Sequence, residues 1–205
     1  LVIGYAFGLF QTGYIYGKLH GIDIRKEGSG NAGTTNALRV LGKKAGIITY
    51  IGDMVKAVLA AMVVRLIFGQ SHADIIMVLV LYSGFGVILG HNFPFYLGFK
   101  GGKGVLVAGG TILAIQPVLI PFLAVIFLAC LLPTGMVSLG SIVMAASYPV
   151  LTLLYGLLKG LTVSDLVVCV TGAAIMGGMV IYMHRANIQR IRAGQEYRFG
   201  RKHKK

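Results

Sequence analysis

The chain has 205 residues, of which 56% are hydrophobic and only 12% are charged. Because soluble domains carry roughly 25% charged residues, this composition excludes an ordinary soluble protein, and the many Leu, Ile and Val residues exclude a disordered chain. The net charge of +13, from 19 Lys and Arg against 6 Asp and Glu, is typical of cytoplasmic loops beside anionic headgroups, and it also suits an anionic substrate.

The predicted elements are apolar segments about as long as a membrane-spanning α-helix, which needs roughly 17 to 25 residues. The first three run over residues 1–16, 45–68 and 73–90. In the second segment, Asp53 and Lys56 are three residues apart and therefore share a helix face. Charges inside a membrane usually pair or face the interior of the helix bundle. The spacing predicts a structural ion pair or, alternatively, part of a polar site.

The remaining apolar segments run over residues 105–132, 134–158 and 165–183. Gln116 and Pro121 interrupt the first of them. Because a proline disrupts the hydrogen bonding of a helix interior, this stretch forms either one long kinked helix or two short helices.

The distribution of positive charge decides between these alternatives. Loop 18–44 carries six Lys or Arg residues, loop 91–104 carries two, and the C-terminal tail carries eight. The positive-inside rule places all three segments in the cytoplasm. The tail can join the two loops only if four spans lie between residues 104 and 184, so residues 105–132 are expected to form two spans that turn at 116–121.

This topology predicts an all-α integral membrane protein with seven transmembrane helices, the N-terminus outside and the C-terminus in the cytoplasm. Residues 1–205 are expected to form a single polytopic domain with a basic tail at 197–205. Cys130 and Cys169 lie in apolar segments without a neighbouring His, so we expect neither a metal site nor a cofactor.

The first polar loop contains the segment EGSGNAGTTNALRVLGKKAG, residues 27–46. Its glycines let backbone N–H groups approach a ligand, and such groups at a helix start bind anions. The alternative is an ordinary helix cap followed by a solvated basic loop. The candidate binding residues are Ser29, Gly30, Asn31, Gly33, Thr34, Asn36 and Arg39.

The second polar loop contains GHNFPFYLGFKGGKGV, residues 90–105. A Gly-Gly-Lys-Gly sequence before an apolar helix is typical of a phosphate-binding loop. It is not a Walker A motif, because Leu97 and Gly104 stand where that motif needs Gly and Ser or Thr, which argues against an ATPase. A structural role and a ligand-binding role are equally expected for His91. The candidate residues are His91, Asn92, Gly101, Gly102, Lys103 and Gly104.

The third polar segment is HRANIQRIRAGQE, residues 184–196. The alternative to a ligand site here is a basic helix on anionic lipid. Lipid binding needs neither His184, Asn187 nor Glu196, so these three are candidate site residues, and Glu196 is expected to pair with an arginine of the first loop. Because all three polar segments are predicted on one face, they suggest one composite site for a phosphorylated substrate.

These three segments resemble, in the same order, the three motifs of the bacterial acyl-phosphate:glycerol-3-phosphate acyltransferases, the PlsY family. The sequence differs from the family only slightly, with Ile191 where Leu is frequent and Ala32 at a variable position. The resemblance implies transfer of a fatty acyl group from acyl phosphate to the 1-hydroxyl of sn-glycerol 3-phosphate. The products are lysophosphatidic acid and phosphate, in the first acylation of bacterial phospholipid synthesis. The enzyme is then expected in the bacterial plasma (inner) membrane, with its active site at the cytoplasmic face.

The expected catalytic residues are Ser29, Lys103 and His184, with direct attack of the glycerol hydroxyl and no acyl-enzyme. The proton acceptor is either a phosphate oxygen of the donor or His184. The expected partners are the two substrates and membrane lipids, without a nucleic acid or an obligate protein partner. The alternative function is transport of an anionic metabolite, although transporter sites usually lie near the membrane midplane.

Overall fold

The computed structural model describes residues 1–199, and all regular secondary structure in this part of the chain is helical. Two short 3₁₀ helices, Ala73–Ile75 and Phe95–Leu97, accompany ten α-helices. The α-helices are α1 Val2–Gly8, α2 Thr12–Leu19, α3 Thr34–Leu41, α4 Lys43–Phe68, α5 Ile76–Asn92, α6 Val105–Ile115, α7 Leu119–Thr134, α8 Val137–Leu158, α9 Val163–Met183 and α10 Arg185–Arg192.

Four helical segments of the described chain are long and apolar enough to cross a membrane: Lys43–Phe68, Ala73–Leu97, Val137–Leu158 and Val163–Met183. The apolar helices α6 and α7 are shorter. The all-helical class predicted from composition is therefore confirmed, and the chain is a multi-pass membrane protein. The count of seven spans and the orientation of the termini stay predictions.

The first predicted span, residues 1–16, is interrupted rather than continuous. α1 ends at Gly8 and α2 begins at Thr12, with Gln11 in a non-helical conformation between them. The side-chain amide of Gln11 donates to the carbonyl oxygens of Gly8, Gly90 and His91, at 3.1, 3.3 and 3.0 Å. Gln11 therefore satisfies carbonyl groups near the ends of two helices, which makes a buried helix break tolerable in an apolar segment.

Residues 105–132 form two helices, as the charge distribution predicts. α6 ends at Ile115 and α7 begins at Leu119. Pro121 lies in the first turn of α7, where a backbone N–H has no partner within the helix and its loss costs little. The interruption therefore falls before the proline, at Gln116.

The described chain forms two compact units, the first over Leu1–Pro117 and the second from Val118 onward. In the first unit α4 packs against α1, α2, α3, α5 and α6. In the second unit α8 packs against α7 and α9, and α10 follows α9. The interpretation of residues 1–205 as one domain stays a prediction. The predicted basic tail is described as far as Phe199, and residues 200–205 lie outside the described part.

Glycines bring α1 and α5 into backbone contact within the first unit. Gly4 and Gly8 face Gly86 and Gly90, and each pair has the four-residue spacing of a close helix contact in membranes. A Cβ on Gly8 would collide with the carbonyl oxygen of Val87 and approach the Cα of Gly90 to 2.9 Å. This contact holds α1 against the end of α5 that carries the second polar loop.

Substitution of Gly8 by alanine is expected to destabilise the first unit by about 1–3 kcal/mol, because overpacking forces backbone shifts. The measurement is thermal unfolding of the purified protein in detergent. Gly109→Ala is the matched control, since nothing lies within 4 Å of a Cβ at that position. Equal unfolding temperatures for the two variants would contradict the contact between α1 and α5.

Candidate active site

Asn36 organises the first polar loop from the start of α3. The side chain is buried, and its amide nitrogen donates to the carbonyl oxygens of Ile24 and Glu27 at 2.8 and 3.0 Å. Its amide oxygen accepts a hydrogen bond from the backbone N–H of Ser29 at 2.8 Å. Both amide hydrogens are thus used within the loop. Asn36 therefore holds Ser29 in place, and its binding of substrate stays a prediction.

Glycines on either side of Ser29 allow the tight turn that exposes it. Gly28 and Gly30 have φ angles of 59° and 71°, in the left-handed region that favours glycine. A Cβ on Gly28 would also collide with the amide oxygen of Asn36. Asn31 accepts a hydrogen bond from the N–H of Gly33 at 2.9 Å, which shapes the residue that caps α3. Ser29 is therefore presented at the surface on a shaped loop rather than a disordered one.

Two other candidates lie on α3. Thr34 opens the helix with a buried hydroxyl oxygen that has no hydrogen-bond partner among the described residues. Arg39 lies exposed in the last turn of the helix. The Thr34 hydroxyl and the Arg39 guanidinium both lie on the helix that follows the Ser29 turn. Both groups are suited to bind an anion.

Substitution of Asn36 by alanine is expected to loosen the first loop, because three hydrogen bonds are lost and the freed carbonyl groups are partly buried. The measurement is limited trypsin digestion, in which cleavage after the exposed Lys26 should accelerate. Cleavage after the exposed Lys159, in the other unit, is the internal control. An unchanged ratio of the two cleavage rates would contradict the anchoring role.

Arg25, which the sequence did not indicate, forms an ion pair within the first loop and also connects the two polar loops. Arg25 donates from Nε and Nη2 to the two carboxylate oxygens of Asp23, at 3.0 and 2.8 Å. This side-chain hydrogen bonding lowers the pKa of Asp23 to about 2, against the opposing effect of partial burial. Nη1 of Arg25 donates to the carbonyl oxygen of Leu97 at 3.4 Å, and the guanidinium lies over the ring of Tyr14. Arg25 therefore ties the first loop to the second.

The second polar loop folds back onto the end of α5. The N–H of Gly101 donates to the carbonyl oxygen of Asn92 at 3.1 Å, and that of Gly102 donates to the carbonyl oxygen of His91 at 3.0 Å. A Cβ on Gly102 would collide with Nε2 of His91, so the close approach requires glycine. Both N–H groups thus close the loop, and the binding of substrate at Gly101 and Gly102 stays a prediction.

The start of α6 provides the N–H groups that the two glycines do not. Gly104 caps this helix with a φ of 82°, and the first N–H bonded back to it belongs to Ala108. The N–H groups of residues 105–107 therefore lie at the helix start, where an anion is stabilised. Lys103 immediately precedes the cap and adds a positive charge.

Asn92 lies beside this helix start with its side chain fully buried. A Cβ on Gly104 would come within 3.0 Å of its amide oxygen and 3.3 Å of its amide nitrogen. Neither amide atom has a hydrogen-bond partner among the described residues. Because a buried polar group without a partner costs about 1–3 kcal/mol, the side chain of Asn92 is a candidate to bind a polar group of a ligand.

A buried cluster of charged groups lies beneath the second loop. Nζ of Lys56 contacts Oδ1 of Asp53 at 2.8 Å, Nδ1 of His91 at 2.9 Å and the carbonyl oxygen of Phe10 at 2.7 Å. Thr12 also donates to Oδ1 of Asp53, at 3.3 Å. The ion pair predicted from the three-residue spacing is confirmed. The inclusion of His91 was missed, because that residue lies 35 positions from Lys56.

In the second unit, His184 joins α9 to α10 and is buried. Its Nδ1 lies 2.8 Å from the carbonyl oxygen of Val180. Since a carbonyl oxygen can only accept, Nδ1 carries a proton, and in the neutral ring the lone pair is on Nε2. This nitrogen is therefore suited to accept a proton from a reacting group.

Glu196 anchors the third polar segment. Its Oε1 accepts hydrogen bonds from Ser138 and Asn187 at 3.0 and 2.8 Å, and its Oε2 accepts from Nε of Arg190 at 2.9 Å. Arg190 of the same segment is thus an ion-pair partner of this carboxylate, and the expected pairing with an arginine of the first loop stays a prediction. With both oxygens bonded, the carboxylate positions Asn187.

The structure groups most predicted site residues by unit. The first unit brings together the first loop, His91, Asn92 and Lys103, and the second unit brings together His184, Asn187 and Glu196. One composite site formed by all three segments stays a prediction.

Comparison with known sequences identifies a family. The family model described as "Glycerol-3-phosphate acyltransferase" matches residues 1–194. Similar proteins of that name occur in Exiguobacterium sibiricum (42% identical over 98% of this chain and 92% of the relative) and in Clostridioides difficile (38%, 98% and 94%). The protein of the same name from Aquifex aeolicus is 35% identical, over 97% of both chains.

Comparison with solved structures gives the same result. The chain is similar to a crystal structure of PlsY, an integral membrane glycerol 3-phosphate acyltransferase, in its glycerol 3-phosphate form, with a TM-score of 0.81 and 36% identity. That match covers 96% of this chain and 92% of the other. The lysophosphatidic acid form of PlsY matches with a TM-score of 0.79 and 35% identity, over 97% and 93% of the two chains.

Proposed function

We propose, from the premise that the chain belongs to the glycerol-3-phosphate acyltransferase family, that it transfers a fatty acyl group from acyl phosphate to the 1-hydroxyl of sn-glycerol 3-phosphate. The products of this reaction are lysophosphatidic acid and inorganic phosphate. PlsY has been crystallised in forms named for glycerol 3-phosphate and lysophosphatidic acid, the acceptor and the product of the proposed reaction. In bacteria this transfer is the first acylation of phospholipid synthesis.

The observation that carries the proposal is the anion site at the start of α6. Lys103 immediately precedes Gly104, the cap of α6, the N–H groups of residues 105–107 follow that cap, and the unpartnered amide of Asn92 lies beside it. A phosphate group offers several acceptor oxygens and a negative charge, which match these donors. We assign this site to the phosphate of the acyl donor.

The first loop is assigned to the second phosphate. Ser29 stands exposed on its glycine turn, and Arg39 lies exposed on the helix that follows. A hydroxyl and a guanidinium are suited to the phosphate of glycerol 3-phosphate. Gly30, Asn31, Gly33 and Thr34 shape this loop, and Asn187 is assigned to hydrogen bonding with the glycerol part.

The proposed mechanism is direct attack. The oxygen of the glycerol 1-hydroxyl bonds to the acyl carbon, and the bond from that carbon to the phosphate oxygen breaks, so that phosphate leaves with the electron pair. The hydroxyl proton passes to a phosphate oxygen of the donor or to Nε2 of His184. Because a mixed anhydride already carries a good leaving group, orientation of the two substrates supplies about 7–11 kcal/mol of the barrier reduction.

The membrane positions the donor in this scheme. An acyl chain left in the bilayer contributes about 0.8 kcal/mol for each buried CH₂ group. The polar loops follow the ends of α5 and α9 rather than the middle of a span, which favours a site at the membrane surface over a transport site near the midplane. The positive-inside rule then supports a cytoplasmic site in the bacterial plasma membrane, with seven spans.

One assay tests the proposed donor. Purified protein in detergent is mixed with labelled glycerol 3-phosphate and, in parallel reactions, palmitoyl phosphate, palmitoyl-CoA or palmitoyl-acyl carrier protein. We expect lysophosphatidic acid and phosphate in equal amounts with palmitoyl phosphate alone. Product with only one of the thioesters would overturn the donor. Product with none of the three, from protein that retains its helical content, would overturn the activity.

A further inference from the structure

The buried Lys56 has three hydrogen-bond acceptors around its ammonium group. They are the carbonyl oxygen of Phe10, Oδ1 of Asp53 and Nδ1 of His91, at 2.7, 2.8 and 2.9 Å. The carbonyl of Phe10 is available because the break between α1 and α2 begins there. All three residues of the cluster are at most 4% exposed. The geometry of this cluster therefore determines where its protons lie.

An ammonium group donates three hydrogen bonds and accepts none. Three acceptors around Nζ match a charged Lys56 with every hydrogen used. A neutral amine that accepted from His91 would leave Asp53 as a buried carboxylate without a counter-charge, which is strongly disfavoured. The favoured arrangement is an ionised pair of Asp53 and Lys56, with His91 accepting from Lys56.

This arrangement sets the tautomer of His91. If Nδ1 accepts a hydrogen bond, the proton of the neutral ring must be on Nε2. In the described part of the chain, the hydrogen bonds of this ring all involve Nδ1. The Nε2 edge lies against Gly102, where a Cβ would collide with it. The N–H of His91 thus points toward the loop that precedes α6.

We infer that Asp53 and Lys56 are positioning residues, which hold His91 with its proton on Nε2 so that this N–H donates to the phosphate of the acyl donor at loop 101–104. His91 and His184 then have opposite tautomers, one serving as a donor and the other as an acceptor. The inference rests on the proposed function, because it needs an anion at that loop.

The first test is a spectroscopic one that needs no substrate. Nitrogen NMR of protein labelled with ¹⁵N-histidine distinguishes a protonated from an unprotonated ring nitrogen. The chain has five His, and the signals of His91 are those lost in His91→Gln. We expect an unprotonated Nδ1 and a protonated Nε2 in the unsubstituted protein. A protonated Nδ1 there would overturn the inference.

The positioning role is tested by removing both charges together. Asp53→Leu with Lys56→Met leaves no unpaired buried charge, and His91 should then populate both tautomers. Lys159→Met, at an exposed turn in the other unit, should leave the spectrum unchanged. An unchanged tautomer in the double variant would show that the pair does not set it. If the double variant does not fold, the spectrum of the unsubstituted protein and the comparison of His91→Asn with His91→Gln still test the inference.

The donor role is tested with two amide side chains. Glutamine places an N–H near the position of Nε2, whereas asparagine reaches only the position of Nδ1. His91→Asn can still accept from Lys56 but lacks the donor. We expect His91→Asn to lower kcat/KM for palmitoyl phosphate about a hundredfold, the scale of one lost donor to developing charge. His91→Gln should lose about tenfold or less, and KM for glycerol 3-phosphate should change in neither variant.

Equal activity of the two His91 variants would overturn the donor role and leave His91 as a packing residue. A failure of this inference can be distinguished from a failure of the proposed function. If the unsubstituted protein makes no product from palmitoyl phosphate, the proposed donor fails, whereas the NMR spectrum still reports whether Asp53 and Lys56 set the tautomer.

Discussion

Substitution of Lys103 by methionine is expected to lower kcat/KM for palmitoyl phosphate about 10²–10³-fold, with unchanged helical content. The side chain immediately precedes the cap of α6, next to the N–H groups that face the proposed phosphate. Negative charge grows on that phosphate as it leaves, and the removal of one preorganised group that stabilises such charge costs about this much. The measurement is steady-state formation of lysophosphatidic acid with each substrate varied in turn.

Lys103→Arg is the informative companion variant. It keeps the charge but replaces the compact ammonium group by a planar guanidinium group, so an intermediate activity is expected. Lys100→Met removes a charge at an exposed position in the same loop and should have little effect. Unchanged kcat and KM in Lys103→Met would remove this lysine from the reaction.

Substitution of His184 by asparagine is expected to lower kcat about 10²–10⁴-fold, the range for loss of a general base. Asparagine places an N–H near the position of Nδ1, so the hydrogen bond to the carbonyl of Val180 is retained while the acceptor nitrogen is lost. The chain offers a matched control in His20, whose Nδ1 contacts the carbonyl of Tyr16 at the same 2.8 Å but which is exposed. His20→Asn should retain activity.

Retained activity in His184→Asn would make a phosphate oxygen of the donor the proton acceptor. Burst kinetics with palmitoyl phosphate provide an independent check on direct attack. A covalent acyl group on Ser29 during turnover would contradict a mechanism without an acyl-enzyme.

Features that depend on local spacing were predictable from the sequence. The pair of Asp53 and Lys56 follows from helical periodicity, and the interruption near Gln116 follows from charge parity together with the nearby prolines. The helical class follows from composition alone. Each of these predictions uses only the residues within one segment or the order of the segments along the chain.

Features that depend on contacts between segments were not predictable in this way. The hydrogen bonds of Asn36 reach back 9 and 12 residues, so the motif alone did not reveal that this side chain holds the loop. Gln11 was hidden in an apolar segment, and its partners lie 79 and 80 residues away. Hydropathy does not distinguish a helix break that is satisfied by a distant side chain from a continuous span.

The three acceptors of Lys56 belong to three different parts of the chain, the break after α1, α4 itself and the end of α5. During synthesis α4 therefore enters the bilayer before its lysine can be fully satisfied, since α5 emerges later. A lysine at the centre of an inserting helix costs about 2.5–3.5 kcal/mol on translocon scales. Asp53, within α4, and the carbonyl of Phe10, which is synthesised earlier, offset part of this cost at first, whereas His91 is not yet present. Stable insertion of α4 is in this way coupled to the arrival of α5, so this lysine links the order of translation to assembly in the membrane.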